Sequence, residues 1–332
     1  MEQRDRTETV NQDIDGYDII GDIHGCHTLL EQLLHKLGYR HDGHSFCHPG
    51  RKVIFLGDVI DRGPGIVPAL KLVHDMVTHG QAHLLLGNHE YNAIAYFTLR
   101  DDGSGNFLHK HTPRHKRNLR ATLDQFAAQS THSLSFFVEW FKSLPFIFEG
   151  EVNGQSFHCV HACWHTDAVK LIRSRGVNTV RDPSFWQATI DKSTWQKKVL
   201  DCCTRGLHLT LPADQVMQGN DGSFHHEIRL KYWGPQGPTL GDVALATKPL
   251  DSSLARTPLS PEQRHLLYTY PKEAPPLFFG HYWLKGVPQL QAPNMICLDY
   301  SAVRLGQLVA YRYNGEAELS LENVVTVSGQ WP

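Results

Sequence analysis

The chain has 332 residues, enough for one large domain or two of moderate size. Apolar residues make up 41% of it and charged residues 20%, a balance that is typical of globular proteins and excludes wholesale disorder. Basic and acidic side chains number 32 and 34, so the net charge is −2. We therefore expect no stable nucleic-acid partner and no membrane association, because both favour a strongly basic surface.

Residues 1–16 are polar and contain no apolar segment of the kind found in secretory signals. No run of about 18 apolar residues occurs in the chain. The seven cysteines are an odd number in a long chain, so they do not indicate a disulfide framework. We expect a cytoplasmic location, a polar N-terminal tail over residues 1–16 and a single domain over residues 17–332.

The first hundred residues alternate strand and helix patterns. Apolar runs at 17–20, 53–56 and 82–86 predict buried strands, and each is followed by a helical pattern. This repeat predicts βαβ crossovers and a largely parallel sheet. Polar residues that follow the strands would then meet at one edge of that sheet, where open α/β sheets bind their ligands.

An insert at residues 101–131 interrupts this pattern. The segment is rich in Gly, His, Lys and Arg and has no sustained periodicity. These features favour a solvated surface insertion. A basic flap over an anionic substrate is the alternative.

Strand patterns return after a short helical pattern at 136–141. The runs 146–152 and 156–160 are joined by Asn153-Gly154, a pair that favours a tight hairpin turn. Residues 165–276 mix aromatic, proline and turn residues, and we expect a cap of helices and loops rather than a separate domain. Later apolar runs predict strands of a second sheet packed on the first, at 277–279, 295–298 and 308–313.

Three strand ends carry nearly the same residues. They are Gly-Asp-Ile-His-Gly at 21–25, Gly-Asp-Val-Ile-Asp-Arg-Gly at 57–63 and Gly-Asn-His-Glu at 87–90. Carboxylates and imidazoles suit divalent metals that accept both oxygen and nitrogen ligands, and the glycines permit tight turns. Because one βαβ unit separates each motif from the next, we expect the three motifs to be neighbours in space.

With these motifs the chain resembles the calcineurin-like metallophosphoesterase superfamily, in its phosphoprotein-phosphatase-like branch, which includes bacterial serine/threonine phosphatases and diadenosine-tetraphosphatases. Later segments add to the resemblance: Val160-His161-Ala162, Phe279-Gly280-His281 and Met295–Val303. The resemblance implies a mixed α/β (α+β) fold. In that fold a β-sandwich is flanked by helices, with a central βαβαβ sheet and an inserted cap.

The resemblance also implies a centre of two divalent metal ions, with Mn favoured and Fe, Zn or Ni as alternatives. Asp58 would bridge both ions. The remaining ligands would be Asp22 and His24 for the first ion, and Asn88, His161 and His281 for the second. A hydroxide shared by the two ions would attack phosphorus in line.

The family pattern assigns further roles around this centre. His89 would be the general acid that protonates the leaving oxygen, and Asp61 would orient its imidazole. Arg62 would bind phosphate oxygens. A second phosphate-binding arginine normally lies between the last two histidine ligands, where Arg229 is the candidate and Arg205 the alternative.

Three positions depart from the family pattern. Leu86 stands where the protein phosphatases usually have an arginine, so no phosphate role is assigned to it. Ala162 replaces a glycine. Trp283 stands where many superfamily members place another metal-binding histidine, and the absence of that histidine fits the phosphoprotein-phosphatase branch.

These features predict a metal-dependent phosphatase that hydrolyses phosphomonoesters of a phosphoprotein or of a small molecule. The alternative is a hydrolase of dinucleoside polyphosphates such as diadenosine tetraphosphate, or of cyclic or diester phosphates, since aromatic residues in the cap permit a nucleoside pocket. A non-catalytic metal-binding scaffold is the remote alternative, because a scaffold would not need a proton donor such as His89.

Overall fold

The computed structural model describes residues 14–129, 133–211, 216–218, 224–234, 236–246, 250–304 and 306–329. Residues 1–13 of the predicted N-terminal tail lie outside these ranges. The strands are β1 (Gly16–Ile20), β2 (Arg40–His41), β3 (Phe46–Cys47), β4 (Arg51–Phe55), β5 (Ala82–Leu84), β6 (Ile147–Val152), β7 (Gln155–Val160), β8 (His208–Thr210), β9 (Met217–Gln218), β10 (Phe224–His225), β11 (Glu227–Leu230), β12 (Ala244–Leu245), β13 (Leu277–Phe279), β14 (Leu290–Ala292), β15 (Met295–Cys297), β16 (Asp299–Tyr300), β17 (Gln307–Tyr313) and β18 (Val324–Ser328).

The helices are α1 (His27–Lys36), α2 (Ile66–Thr78), α3 (Asn88–Phe97), α4 (Pro113–Gln129), α5 (Leu134–Phe141), α6 (Thr166–Arg175), α7 (Pro183–Ala188), α8 (Trp195–Arg205), α9 (Leu240–Val243), α10 (Ser252–Ala255) and α11 (Pro261–His265). Short 3-10 helices cover Ala302–Arg304 and Leu321–Asn323. Of the helices in the described ranges, none combines the length and the apolar composition needed to cross a membrane.

The first sheet contains the predicted βαβαβ unit. Its strand order is β16-β17-β1-β4-β5, and β18 pairs with β17. Strands β1, β4 and β5 run parallel to one another, as the alternating sequence pattern predicted. Helices α1 and α2 connect them, and each buries a stripe of apolar residues in the core on one side of the sheet.

The second sheet packs on the first and completes a β-sandwich. Its order is β14-β15-β13-β7-β6, in which β7, β13 and β15 are parallel. Strands β6 and β7 form the predicted antiparallel hairpin around Asn153-Gly154. A layer of aromatic and aliphatic side chains from both sheets fills the space between them, including Tyr17, Phe157, Phe278 and Tyr311. The predicted fold class is therefore confirmed.

Strand β17 was assigned to the wrong sheet. The sequence analysis placed residues 308–313 in the second sheet, but β17 pairs with β1 in the first sheet, where Tyr313 lies opposite Tyr17. The strand is buried on both faces: Val309 and Tyr311 face the layer between the sheets, and Leu308 and Ala310 face the helices. A continuous apolar run indicates that a strand is buried on both faces, but it does not indicate which strand lies next to it.

The insert at 101–131, in which the sequence shows no sustained periodicity, contains the 17-residue helix α4. This helix packs against α2. Its buried stripe is narrow, with Leu119 and Thr122 inside and charged residues outside. Because so few of its residues are apolar, the helical period is hidden in the sequence.

The cap between β7 and β13 contains helices α6 to α11 and also a three-stranded sheet of order β12-β11-β8. The sequence analysis, which expected helices and loops, missed this sheet. Its small core includes Leu209, Ile228, Leu230 and Leu240. Antiparallel pairing places Arg229 opposite His208 on the neighbouring strand.

Candidate metal centre and active site

The predicted site residues meet at one edge of the sandwich. The loops after β1, β4 and β5 of the first sheet and after β7 and β13 of the second sheet supply them. Five of the six predicted ligands are at most 4% exposed, and the sixth, Asn88, is half-buried. Residues that are separated by up to 259 positions in sequence, such as Asp22 and His281, are therefore in contact.

Asp58 lies at the centre of this edge. The Nε2 atom of His24 is 3.6 Å from Asp58 Oδ2, and the Nε2 atom of His161 is 3.5 Å from Asp58 Oδ1. Two compact groups of possible metal ligands share this carboxylate: one adds His24 and His89, and the other adds His161 and His281. The arrangement is that of two adjacent cation sites with a common ligand.

The protonation of two imidazoles is fixed by their outer hydrogen bonds. His24 Nδ1 lies 2.9 Å from the carbonyl oxygen of Ile60, and His161 Nδ1 lies 2.8 Å from that of Leu56. A carbonyl can only accept, so each Nδ1 donates and each Nε2 keeps a lone pair on the side of Asp58. In His24 this lone pair accepts from Arg62 Nη1. Burial lowers the pKa of both imidazoles, which favours this neutral form.

The group of possible ligands that contains His161 and His281 also presents hydrogen-bond acceptors to the centre. His161 Nε2 lies 3.3 Å from Asn88 Oδ1. His281 Nε2 is buried and has no hydrogen-bond partner among the described residues. Burial, with a smaller effect of the Arg229 guanidinium, lowers the pKa of His281. Converging lone pairs of this kind repel one another unless a cation lies between them, so the donor set fits a divalent metal.

Asp22 lies beside these groups rather than inside them. Its Oδ2 is 4.0 Å from His24 Nε2, and its Oδ1 accepts a hydrogen bond of 3.1 Å from the backbone N–H of His281. Burial, followed by the nearby charges of Asp299 and Asp58, raises the pKa of Asp22 well above its usual range. A bound cation would relieve this repulsion between carboxylates.

Asp299 is a site residue that the sequence analysis did not assign. Its carboxylate is 1% exposed, and burial raises its pKa. It accepts hydrogen bonds from the backbone N–H groups of Trp283 and Ser301, at 2.7 and 3.0 Å. The available signal was the family-like segment Met295–Val303, which contains it.

His89 contacts Asp61, as the sequence predicted, and Asp61 has a second partner that the sequence did not predict. His89 Nδ1 lies 2.5 Å from Asp61 Oδ2. The hydroxyl of Thr122 donates to Asp61 Oδ1 at 2.5 Å and accepts from the backbone N–H of Asp61 at 3.1 Å. Thr122 belongs to α4, so the insert reaches the site through a buried hydroxyl. No sequence signal singled out this threonine.

Glu90 fixes the loop that carries Asp58. Its Oε2 accepts from the backbone N–H groups of Asp58 and Gly87, at 2.8 and 3.1 Å, and its Oε1 accepts from Val59 at 2.9 Å. Asp58 has φ 52°, a left-handed conformation that is costly for a residue with a side chain. Glu90, which belongs to the third strand-end motif, therefore fixes the backbone of the second motif through its carboxylate.

Gly57 is required at the start of this loop. It has φ 105°, and a Cβ atom there would lie 2.8 Å from the backbone of Gly87. Such an approach is possible only without a side chain.

The candidate phosphate-binding arginines occupy different places. Arg62 Nη1 lies 2.5 Å from His24 Nε2. Arg229 Nη1 donates to the carbonyl oxygen of His281 at 3.4 Å, whereas Arg205 Nη2 donates to Asn92 Oδ1 at 2.9 Å. Arg229 is therefore the one of the two alternatives that contacts a predicted ligand residue. Leu86 is fully buried in the core, in keeping with the absence of a phosphate role.

Replacement of Glu90 tests whether its carboxylate holds the loop. Glu90→Gln should lower the free energy of unfolding by about 1–3 kcal/mol, because the amide N–H₂ would face backbone N–H donors. Urea denaturation measures this difference.

Glu139→Gln is the matched control, since Glu139 is 70% exposed and pairs with Lys142 at the surface. It should change the free energy of unfolding by less than about 0.5 kcal/mol. Equal stability of the Glu90 variant and the unmodified protein would contradict the role given to Glu90.

Comparison with known proteins agrees with the resemblance in sequence. Bis(5'-nucleosyl)-tetraphosphatase PrpE of Oceanobacillus iheyensis is 45% identical over 81 residues, which are 24% of this chain and 32% of that protein. The protein of the same name from a Geobacillus species is 33% identical over 129 residues, or 39% of this chain and 42% of that protein. The chain thus matches less than half the length of these relatives.

Among solved structures, a protein serine/threonine phosphatase from Saccharomyces cerevisiae with similarity to human phosphatase PP5 is 15% identical. The structural match covers 97% of this chain and 82% of the yeast chain, with a TM-score of 0.49. The pattern of the calcineurin-like phosphoesterases matches residues 17–212, which include the three strand-end motifs and His161. This match covers more than half of the residues, and the chain therefore belongs to the calcineurin-like phosphoesterase family.

Proposed function

We propose that the protein is a metal-dependent hydrolase of phosphomonoesters, carried by a phosphoprotein or by a small molecule. The observation that supports this most is the position of Asp58 between two groups of imidazoles. Clustered nitrogen and oxygen acceptors, a histidine–carboxylate pair and an arginine are together the groups that phosphoryl transfer to water requires.

The metal ligands are proposed from their positions around Asp58. Asp22 and His24 would hold one divalent ion, and Asn88, His161 and His281 would hold the other, with Asp58 common to both. We propose Mn as the metal, with Fe, Zn or Ni as alternatives, because this mixture of carboxylate, amide and imidazole ligands suits each of them. When bound, the ions would supply Lewis-acid activation of the phosphoryl group and of the attacking water.

His89 is the proposed proton donor. Its Nδ1 is engaged by Asp61, so its Nε2 is the atom that faces the site, 3.9 Å from Asp58 Oδ2. The Asp61 carboxylate on the far nitrogen fixes the orientation of the imidazole ring. The Nε2 proton would pass to the leaving oxygen as the bond to phosphorus breaks.

Arg62 and Arg229 are the proposed phosphate-binding residues. Arg62 lies beside His24, and Arg229 lies beside His281, so the two guanidiniums approach the centre next to different predicted ligands. Each presents several N–H donors in one plane, which match the oxygens of a phosphate group.

A dinucleoside polyphosphate is the second candidate substrate. It is favoured by the names of the relatives from Oceanobacillus iheyensis and Geobacillus, which are bis(5'-nucleosyl)-tetraphosphatases. Comparing rates on a phosphopeptide, diadenosine tetraphosphate and a 2′,3′-cyclic nucleotide would separate the candidates.

Removal of metal provides the direct test of the proposed function. Exhaustive chelation should abolish hydrolysis of p-nitrophenyl phosphate, and Mn²⁺ should restore it, because the acceptors around Asp58 cannot activate water by themselves. Elemental analysis before and after chelation identifies the ion. Hydrolysis that survives complete metal removal would contradict the proposal.

The role of His89 predicts a dependence on the leaving group. His89→Asn should lower kcat for phenyl phosphate by about 10²–10⁴ and have a smaller effect on p-nitrophenyl phosphate, whose leaving group needs less protonation. Metal content should stay near normal.

His265→Asn, an exposed histidine in the cap, is the control and should leave both rates unchanged. An equal loss on the two esters in the His89 variant would show that His89 is not the general acid.

Thr122 is proposed as a positioning residue that acts through Asp61 and His89. Thr122→Val removes the hydroxyl with little change of shape, and should lower kcat for phenyl phosphate about tenfold while affecting p-nitrophenyl phosphate less. Steady-state kinetics with both esters measures the difference.

Thr189→Val is the matched control, because Thr189 is also a buried threonine. Its hydroxyl donates to the backbone carbonyl of Trp186 instead of to a carboxylate of the site. This variant should lose stability to a similar degree and keep the same preference between the esters. If the two variants behave alike, Thr122 has only a structural role.

A further inference from the structure

Trp283 is held in an unusual backbone conformation at the edge of the site. It lies two residues after His281 and has φ 55°, which is costly for a residue with a side chain. Its backbone N–H donates to Asp299 Oδ2 at 2.7 Å. The other oxygen of Asp299 accepts from Ser301, which has φ 57°. One buried carboxylate thus fixes both loops, and with them the position of the indole.

Two guanidiniums lie over this indole. The Cζ atom of Arg62 is 3.9 Å from the ring centroid, and that of Arg304 is 4.9 Å from it. Both distances are in the range of cation–π attraction. Arg62 also contacts His24 at the centre, whereas Arg304 ends the 3-10 helix Ala302–Arg304 and is exposed. Trp283 therefore connects the proposed phosphate-binding arginine with a second cation farther out.

Of the two charges, Arg62 lies near buried carboxylates of the centre, including Asp58 and Asp299. Within the described residues, neither Arg62 nor Arg304 forms an ion pair with a carboxylate. Their separation cannot exceed the sum of their two distances from the indole centroid, a span that two adjacent phosphates can bridge. Each guanidinium presents N–H donors, so a ligand with two anionic groups would contact both at once.

We propose that Arg304, supported by Trp283, forms a binding subsite for a second phosphate next to the one that Arg62 contacts. The subsite would bind a substrate with a second phosphate, such as a dinucleoside polyphosphate (the second candidate above), more tightly than an ester with one phosphate. This inference rests on the proposed phosphoesterase function. Esters with a single phosphate would remain substrates, because they need only Arg62, Arg229 and the centre around Asp58.

Arg304→Gln in the metal-loaded protein tests the subsite by kinetics. The variant should raise KM for diadenosine tetraphosphate about tenfold, with kcat and the kinetics of p-nitrophenyl phosphate within about twofold of the unmodified protein. Arg304→Lys, which keeps the charge, should recover part of the loss.

Lys285→Gln is the matched control, since it removes one exposed positive charge from the same loop as Trp283. It should leave KM for diadenosine tetraphosphate unchanged. The subsite would be overturned if the Lys285 variant matches the Arg304 variant, if Arg304→Gln affects both substrates equally, or if it affects neither.

Binding of inorganic anions separates this inference from the proposed function. In calorimetric titrations of the metal-loaded protein, Arg304→Gln should weaken tripolyphosphate binding about fivefold or more and leave orthophosphate binding unchanged. That result in a protein without hydrolytic activity would contradict the proposed function but support the subsite. Hydrolytic activity with unaltered tripolyphosphate affinity would overturn the subsite alone.

Discussion

The organisation of the site follows from the burial of Asp58. An ionised carboxylate that is 1% exposed is costly unless donors or cations surround it. The backbone N–H of His89 supplies one donor, at 2.9 Å. The neighbouring Nε2 atoms of His24 and His161 cannot donate, because their protons are on Nδ1 and bind carbonyl oxygens. A bound divalent cation would supply the missing compensation, and the outer carbonyls leave the inner nitrogen atoms free to bind it.

Residues with strained backbone conformations are concentrated in the loops that carry the side chains of the site. Non-glycine residues with left-handed φ in the loops of the site are His24, Asp58, Asp61, Arg62, His281 and Trp283. Each such position costs about 1–3 kcal/mol, and buried carboxylates offset this cost by accepting backbone N–H groups. Glu90 does so for the loop of Asp58, and Asp299 does so for the loop of Trp283. The acidic residues of this edge are thus of two kinds, those that face the centre and those that hold its loops.

The strand-end motifs could be predicted from the sequence because their geometry is local: an apolar strand, a glycine and a polar residue at each sheet edge. Asp22, Asp58 and His161 are brought together by this topology, as expected. Thr122 and Asp299 could not be assigned because their importance depends on packing across the fold. Thr122 lies on a helix that has too few apolar residues to reveal its period, and it contacts Asp61, which is 61 positions away in sequence. The apolar run of β17 likewise did not determine which strand pairs with it.

Trp283 is the departure from the family pattern that changes the surroundings of the centre most directly. The resemblance places a metal-binding histidine at this position in many relatives, and here the loop is held in a left-handed conformation by Asp299 while the side chain is an indole. An indole cannot coordinate a metal, but its face attracts guanidiniums, and Arg62 and Arg304 lie over it. With Trp283 at this position the loop would offer no imidazole to a bound ion, and its indole lies against two guanidiniums. Because the sheet edge fixes the centre while the loops shape its surroundings, such changes alter substrate choice more readily than chemistry.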